Sequence, residues 1–148
     1  MKRKKKENIA ALVNRTNIHV RFSEVDSMQV VWHGEYIKYF EDGRVSFGKQ
    51  YDISYMGVLA QGYVIPIVDL TCQFKQSLRF DEEAIIETRY INTPAAKILF
   101  EYTIYRASDL TVAATGTTTQ VFVNAETNEL ELSNPEFYLE WKKKWGIE

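Results

Sequence analysis

Cysteine occurs once in this chain, at Cys72, proline three times, histidine twice, and long apolar runs not at all. A single thiol cannot close an internal disulfide, so the fold rests on packing, and a reducing, cytoplasmic setting is the simplest expectation. The longest apolar stretch, about residues 63–70, is interrupted by Pro66 and ended by Asp69. That is far short of the roughly 20 residues a membrane-spanning helix needs. Ile9 to Val13 is too short for the apolar stretch of a signal peptide, and Asn14, Arg15 and Asn17 follow at once. His19, His33 and Cys72 have no metal-ligand spacing, and neither a metal nor a cofactor is expected.

What is present is a chain of 148 residues, 45% hydrophobic and 26% charged, which fits one globular domain and excludes general disorder. The aromatic share of 14% favours strands or a ligand-lining surface over a coiled coil. Charge is uneven. Of 18 basic residues, five stand at Lys2, Arg3, Lys4, Lys5 and Lys6, leaving 13 against 20 acidic residues, a balance of −7. An acidic body argues against a nucleic-acid groove, and the basic run reads as a solvated terminus. Residues 1–16 are therefore assigned as a basic N-terminal tail and lead-in, and 17–148 as a single domain.

Residues 17–23 alternate, with Ile18, Val20 and Phe22 on one face, which predicts a half-buried strand. From about Glu35 the period changes: Tyr36, Ile37, Phe40, Arg44 and Phe47 recur at helical spacing, and the helix should end near residues 50–52. Gly43 and Gly48 each weaken a helix by roughly 1 kcal/mol relative to Ala, which points to close packing there. Glu41 and Arg44 are placed to pair across a turn. Strands are expected over 64–74, 83–91, 96–105 and 111–124, in meander-like succession. Pro66 belongs at an edge, strand start or bulge, and Gly116 at a bulge or close approach. A short terminal helix is expected over 135–145, capped by Asn134 or Ser133. Strand, long helix and then strands argue for an α+β fold: a curled sheet of about five strands wrapped round one long central helix, with a short C-terminal helix.

The segment from Arg21 to Glu41, RFSEVDSMQVVWHGEYIKYFE, carries the chemistry. Asp26 follows a strand, His33 directly precedes a helix, and the loop between them holds Met28, Val30, Val31 and Trp32. So much apolar surface predicts a loop folded against a pocket or a partner subunit. The first N–H groups of a helix have no internal acceptors and lie at its positive end. The amides of His33 or Gly34 are thus suited to an anionic oxygen developing on a carbonyl, with Asp26 attacking that carbonyl or deprotonating a water. Trp32 and Tyr36 are candidates to line that pocket. Lys75, Arg79, Arg89 and Lys97 are unranked candidates for phosphate contacts, and Cys72 reads as core.

Asp26 through Tyr36 (DSMQVVWHGEY), with Tyr39-Phe40-Glu41, Arg44 and Phe22 four before the aspartate, resembles the signature of the 4-hydroxybenzoyl-CoA thioesterase branch of hotdog-fold proteins. It is most similar to the Tol-Pal-associated acyl-CoA thioesterases. Residues 78–82, 113–116 and 121–123 fall where that family has comparable runs. One position departs: the family has glycine three residues after the aspartate, where this chain has Gln29. The resemblance implies hydrolysis of acyl-CoA to acid and CoA. It also implies a homodimer or homotetramer with sites at subunit interfaces, Asp26 as catalytic carboxylate, and His33 at the carbonyl-polarising amide, its imidazole orienting Asp26 or water. An acyl-carrier-protein thioesterase using the same site, and a non-catalytic acyl-CoA binder, are the alternatives.

Overall fold

A computed structural model describes residues 12–147. The basic run Lys2–Lys6 lies outside the described residues. Strand β1 (Val13–His19) leads through a short 3-10 turn (Phe22–Glu24) and a loop into helix α1 (Glu35–Tyr51). A short helix α2 (Tyr55–Ala60) follows, then β2 (Tyr63–Val64), β3 (Ile67–Phe74), β4 (Glu83–Ile91), β5 (Lys97–Arg106), β6 (Val112–Val121) and β7 (Val123–Asn124). Helix α3 (Glu136–Lys144) closes the chain.

Five strands form one antiparallel sheet in the order β1-β4-β5-β6-β3, and β2 pairs with β7 in a small ribbon. The hotdog, α+β reading of the sequence holds. Helix α1 buries Tyr36, Tyr39, Phe40, Gly43, Phe47 and Tyr51 against the sheet. Phe40 is fully buried and stacks on Tyr102 of β5 at 4.4 Å. Burial of such a ring contributes about 1.5–3 kcal/mol. The glycines show why packing overrides helix propensity. A Cβ on Gly43 would lie 2.4 Å from Thr88 Oγ1 on β4, and one on Gly116 of β6 would lie 2.5 Å from the Phe40 ring. Helix α3 docks through Trp141, whose Nε1 donates to the Tyr51 carbonyl at 2.7 Å, and through Tyr138, whose hydroxyl meets that of Tyr90 at 2.5 Å.

Several expectations are corrected. The first strand spans 13–19, so residues 13–16, assigned to the lead-in, already belong to the sheet. The alternation that seemed to run on to Phe22 ends in the 3-10 turn, and Phe22 is 76% exposed. Ile37 is exposed, because the buried face of α1 runs 36-40-43-47-51 and leaves position 37 about 100° off that line. Arg44 donates to the Tyr102 hydroxyl at 3.2 Å, and no ion pair with Glu41 forms. Only β4, β5 and β6 make the expected meander; β3 crosses to the far side of β6 and becomes an edge. Pro66 splits the predicted 64–74 strand, since it lacks the N–H that a ladder requires. Helix α3 takes Pro135 as its N-cap, without the side-chain cap expected from Asn134 or Ser133.

Candidate active site

The loop after the 3-10 turn is a compact, self-bonded unit. Glu24 accepts the Arg21 backbone N–H at 2.8 Å and the Tyr39 hydroxyl at 3.1 Å, which ties the turn to α1. Burial, reinforced by the Glu24 charge, pushes the Tyr39 phenol well above its ordinary range, so it remains a donor. Isolated bridges join Val25 to Val31 and Val30 to Arg79. Between them the Asp26 N–H donates to the Val30 carbonyl and the Gln29 N–H to the Asp26 carbonyl, both at 2.9 Å. The Met28 N–H donates to Asp26 Oδ1 at 2.8 Å, an Asx turn that fixes the carboxylate. Gln29 sits at φ +64, so the left-handed turn that glycine would adopt freely is kept here by a glutamine.

At the start of α1 the Glu35 N–H donates to the Trp32 carbonyl at 2.9 Å and the Tyr36 N–H to that of His33 at 3.4 Å. Among the described residues, the backbone N–H groups of His33 and Gly34 have no acceptor. They form the unfilled positive end of a 17-residue helix. Gly34 is needed for close approach: a Cβ there would lie 1.9 Å from the indole of Trp32. Trp32 is 49% exposed, folded over Gly34, and lies 4.7 Å from the His33 ring.

Asp26, His33 and Tyr36 come together with Val30, Val31 and Phe74 around a cleft of about 360 Å³. Trp32 and Gly34 border the His33 side without lining this cleft within one chain. Tyr36 is 3% exposed and packs edge-on against Phe74 at 5.3 Å. Burial raises its phenol, partly opposed by the Leu78 N–H that its hydroxyl accepts at 3.5 Å.

The opposite wall is Lys75, Gln76 and Ser77, following β3. Sequence reading named only Lys75 there, as one of four unranked basic residues; nothing in spacing along the chain brings residue 76 to residue 26. Arg106 holds this wall. Its guanidinium donates to the Ser77 carbonyl at 2.6 Å, to Gln76 Oε1 at 2.8 Å and to Glu82 at 2.9 Å. Of the other basic candidates, Arg89 lies 3.5 Å from Glu87, whereas Arg79 and Lys97 lie outside the cleft. Burial pushes the Cys72 thiol up, which suits a packing residue better than a nucleophile. His19 lies outside the site and pairs with Asp81 at 2.6 Å. Among the described residues no three His, Cys, Asp or Glu side chains converge as metal ligands, and no helix is long and apolar enough to cross a membrane.

The sequence model of the thioesterase-like superfamily matches residues 20–141. A putative acyl-CoA thioesterase of Bacillus subtilis (strain 168) is 31% identical over 104 residues, 70% of this chain and 75% of that protein. A chloroplastic acyl-acyl carrier protein thioesterase of Arabidopsis thaliana is 29% identical over 93 residues, 63% of this chain and 49% of the relative. Among solved structures, a DHNA-CoA thioesterase from Staphylococcus aureus superposes with a TM-score of 0.81 at 25% identity, covering 90% of this chain and 91% of that one.

Proposed function

Because the chain belongs to the thioesterase-like superfamily, we propose that it hydrolyses an acyl-CoA thioester to the free acid and CoA in the cleft around Asp26. The observation that carries this reading is the meeting, in one cleft, of a fixed carboxylate, Asp26, and His33, the residue just before the Gly34 N-cap of α1.

With the thioester oxygen against the His33 and Gly34 amides, negative charge grows where N–H donors and the helix dipole already point. Asp26 Oδ1 is held by the Met28 N–H. The other oxygen either takes a proton from a water that attacks the carbonyl carbon or attacks that carbon directly. By the first route water adds to the carbonyl carbon, the C–S bond breaks and the proton taken by Asp26 passes to the CoA thiolate. By the second the C–S bond breaks as the acyl group forms an anhydride with Asp26, and the thiolate takes a proton from solvent; a water then cleaves the anhydride to release the acid and restore the carboxylate. The His33 imidazole lines the same cleft without a direct bond to the carboxylate, and the role we give it is to orient the attacking water. Tyr36, Phe74 and Val31 offer the acyl group an apolar seat, with Trp32 at the rim. Lys75 is the cation nearest the cleft for a CoA phosphate.

One chain leaves this site half open. Strand β3 is an edge, and Val68 and Phe74 on it are 60% and 55% exposed. An edge of this kind invites another strand. Two copies paired along β3 make a continuous sheet and set partner residues beside Phe74, and a homodimer or a homotetramer built from it is the assembly we assign. The free thiol of Cys72 fits a reducing, cytoplasmic compartment.

Release of CoA thiol from a panel of acyl-CoAs by the wild type and by Asp26→Asn tests the reading. Turnover by the wild type and its collapse in the variant are expected; equal rates in two folded proteins overturn it. Running carrier-bound acyl groups in parallel separates the CoA route from the carrier-protein alternative, which the Arabidopsis relative favours. Saturable CoA binding with no turnover on any substrate would instead mark a binder.

A further inference from the structure

A second cavity, sharing no residue with the Asp26 cleft, lies inside the same chain. It measures about 280 Å³ and is walled by the second half of α1, the connection into α2, and the sheet face under α3. Its helix residues begin at Arg44, eight positions beyond Tyr36, which places it roughly 12 Å or more along α1 from the catalytic cleft. Its floor is lined by the buried side chains of Ile65, Tyr90, Ile98, Phe100 and Trp141, and its mouth, open to solvent, by the exposed Val45, Tyr55 and Met56.

Most polar tips around the cavity are engaged elsewhere. Tyr90 meets the hydroxyl of Tyr138 at 2.5 Å, and Trp141 Nε1 donates to the Tyr51 carbonyl at 2.7 Å. Gln120 Nε2 donates to the Ile65 carbonyl at 2.9 Å, and Ser54 Oγ accepts the Gly57 N–H at 3.0 Å. The floor therefore shows a ligand carbon and ring surface, while the Ser54 and Tyr55 hydroxyls stand at the exposed mouth. The charged lining residues, Arg44 and Lys49, are both cations, and among the described residues neither is in an ion pair. An apolar hole with unpaired positive charge at its wall selects an amphipathic anion. The volume lies just below the usual range for whole drug-sized ligands and suits a single hydrocarbon tail.

We propose that this cavity binds an unbranched aliphatic carboxylate, its tail among Ile98, Phe100 and Trp141 and its carboxylate against Lys49 and Arg44. The site does not depend on thioester hydrolysis, although a hydrolase of aliphatic thioesters would release this class of molecule.

Titration calorimetry with a homologous series of unbranched carboxylates and their matched alcohols tests it, on both the wild type and Asp26→Asn. Affinity is expected to rise about three- to fourfold per added methylene, then to level off once the cavity is full. Binding should be the same in Asp26→Asn, so loss of turnover and loss of this site are read separately. Lys49→Gln should weaken the carboxylates several-fold and leave the alcohols unchanged. Ile53→Trp, at the half-buried rim, should bring the plateau to shorter chains, and it avoids the folding risk of Ile98→Phe in the floor. Absence of saturable binding by any chain length overturns the proposal. So does binding indifferent to both variants, or binding of intact acyl-CoA to Asp26→Asn without binding of the free acids.

Discussion

Replacing Gln29 by glycine should stabilise this protein, against the usual direction for a glycine substitution. The residue sits at φ +64 with an exposed side chain and no hydrogen bond from that side chain among the described residues. A left-handed backbone costs an L residue about 1–2 kcal/mol, a cost glycine escapes. Glycine in turn loses roughly 0.5–1 kcal/mol more chain entropy on folding. The difference centres on about 0.7 kcal/mol in favour of Gln29→Gly. With a urea slope of about 1–3 kcal/mol per molar, the midpoint should rise by roughly 0.2–0.7 M. Gln29→Ala keeps the backbone cost and removes the side chain, so it should match the wild type within about 0.5 kcal/mol. Gln29→Val, branched at Cβ, should be less stable than either. The turn hydrogen bonds through Asp26 are backbone and Asx contacts that glycine retains, so turnover should change little. Equal midpoints for the glycine and alanine variants would refute the strain argument.

Gly116→Ala should destabilise by about 1–3 kcal/mol, because its Cβ would lie 2.5 Å from both the Phe40 ring and the Thr71 carbonyl; denaturant titration checks this. Gly34→Ala should push the half-exposed indole of Trp32 off its seat, cutting kcat and altering tryptophan fluorescence while the melting temperature moves by only a few degrees. Asp42 has its carboxyl raised, first by burial of its inner edge and then by the Glu41 and Glu24 charges. A raised folded-state pKa means a stabilising contribution present below the ordinary carboxylate range and lost as pH rises through the folded value. Asp42→Asn should therefore gain stability relative to wild type at pH 7, with the gain disappearing below about pH 3, as paired thermal melts would report.

The long helix and the strands at 83–91 and 97–106 were legible because their periodicities are clean and each buries one face. The site loop was legible for a different reason: an acid after a strand and a His-Gly before a helix are local signals, and the cleft does bring Asp26, His33 and Tyr36 together. Phe22 misled because alternation continued past the point where the Glu24 side chain bonds the Arg21 N–H and turns the chain. The far wall of the cleft was out of reach. Gln76 and Ser77 arrive there only through the crossing of β3 to the sheet edge and the grip of Arg106, thirty residues away in sequence from Gln76. Helix α2 was missed because six residues are too few to show a helical period.

The most direct test of the account is the steady-state kinetics of Asp26→Asn on the best acyl-CoA substrate, with circular dichroism confirming the fold. Loss of the carboxylate should lower kcat by about 10²–10⁴, the range for a positioned acid–base group, with KM within a few-fold of wild type. An unchanged kcat would contradict the claim that Asp26 drives the reaction.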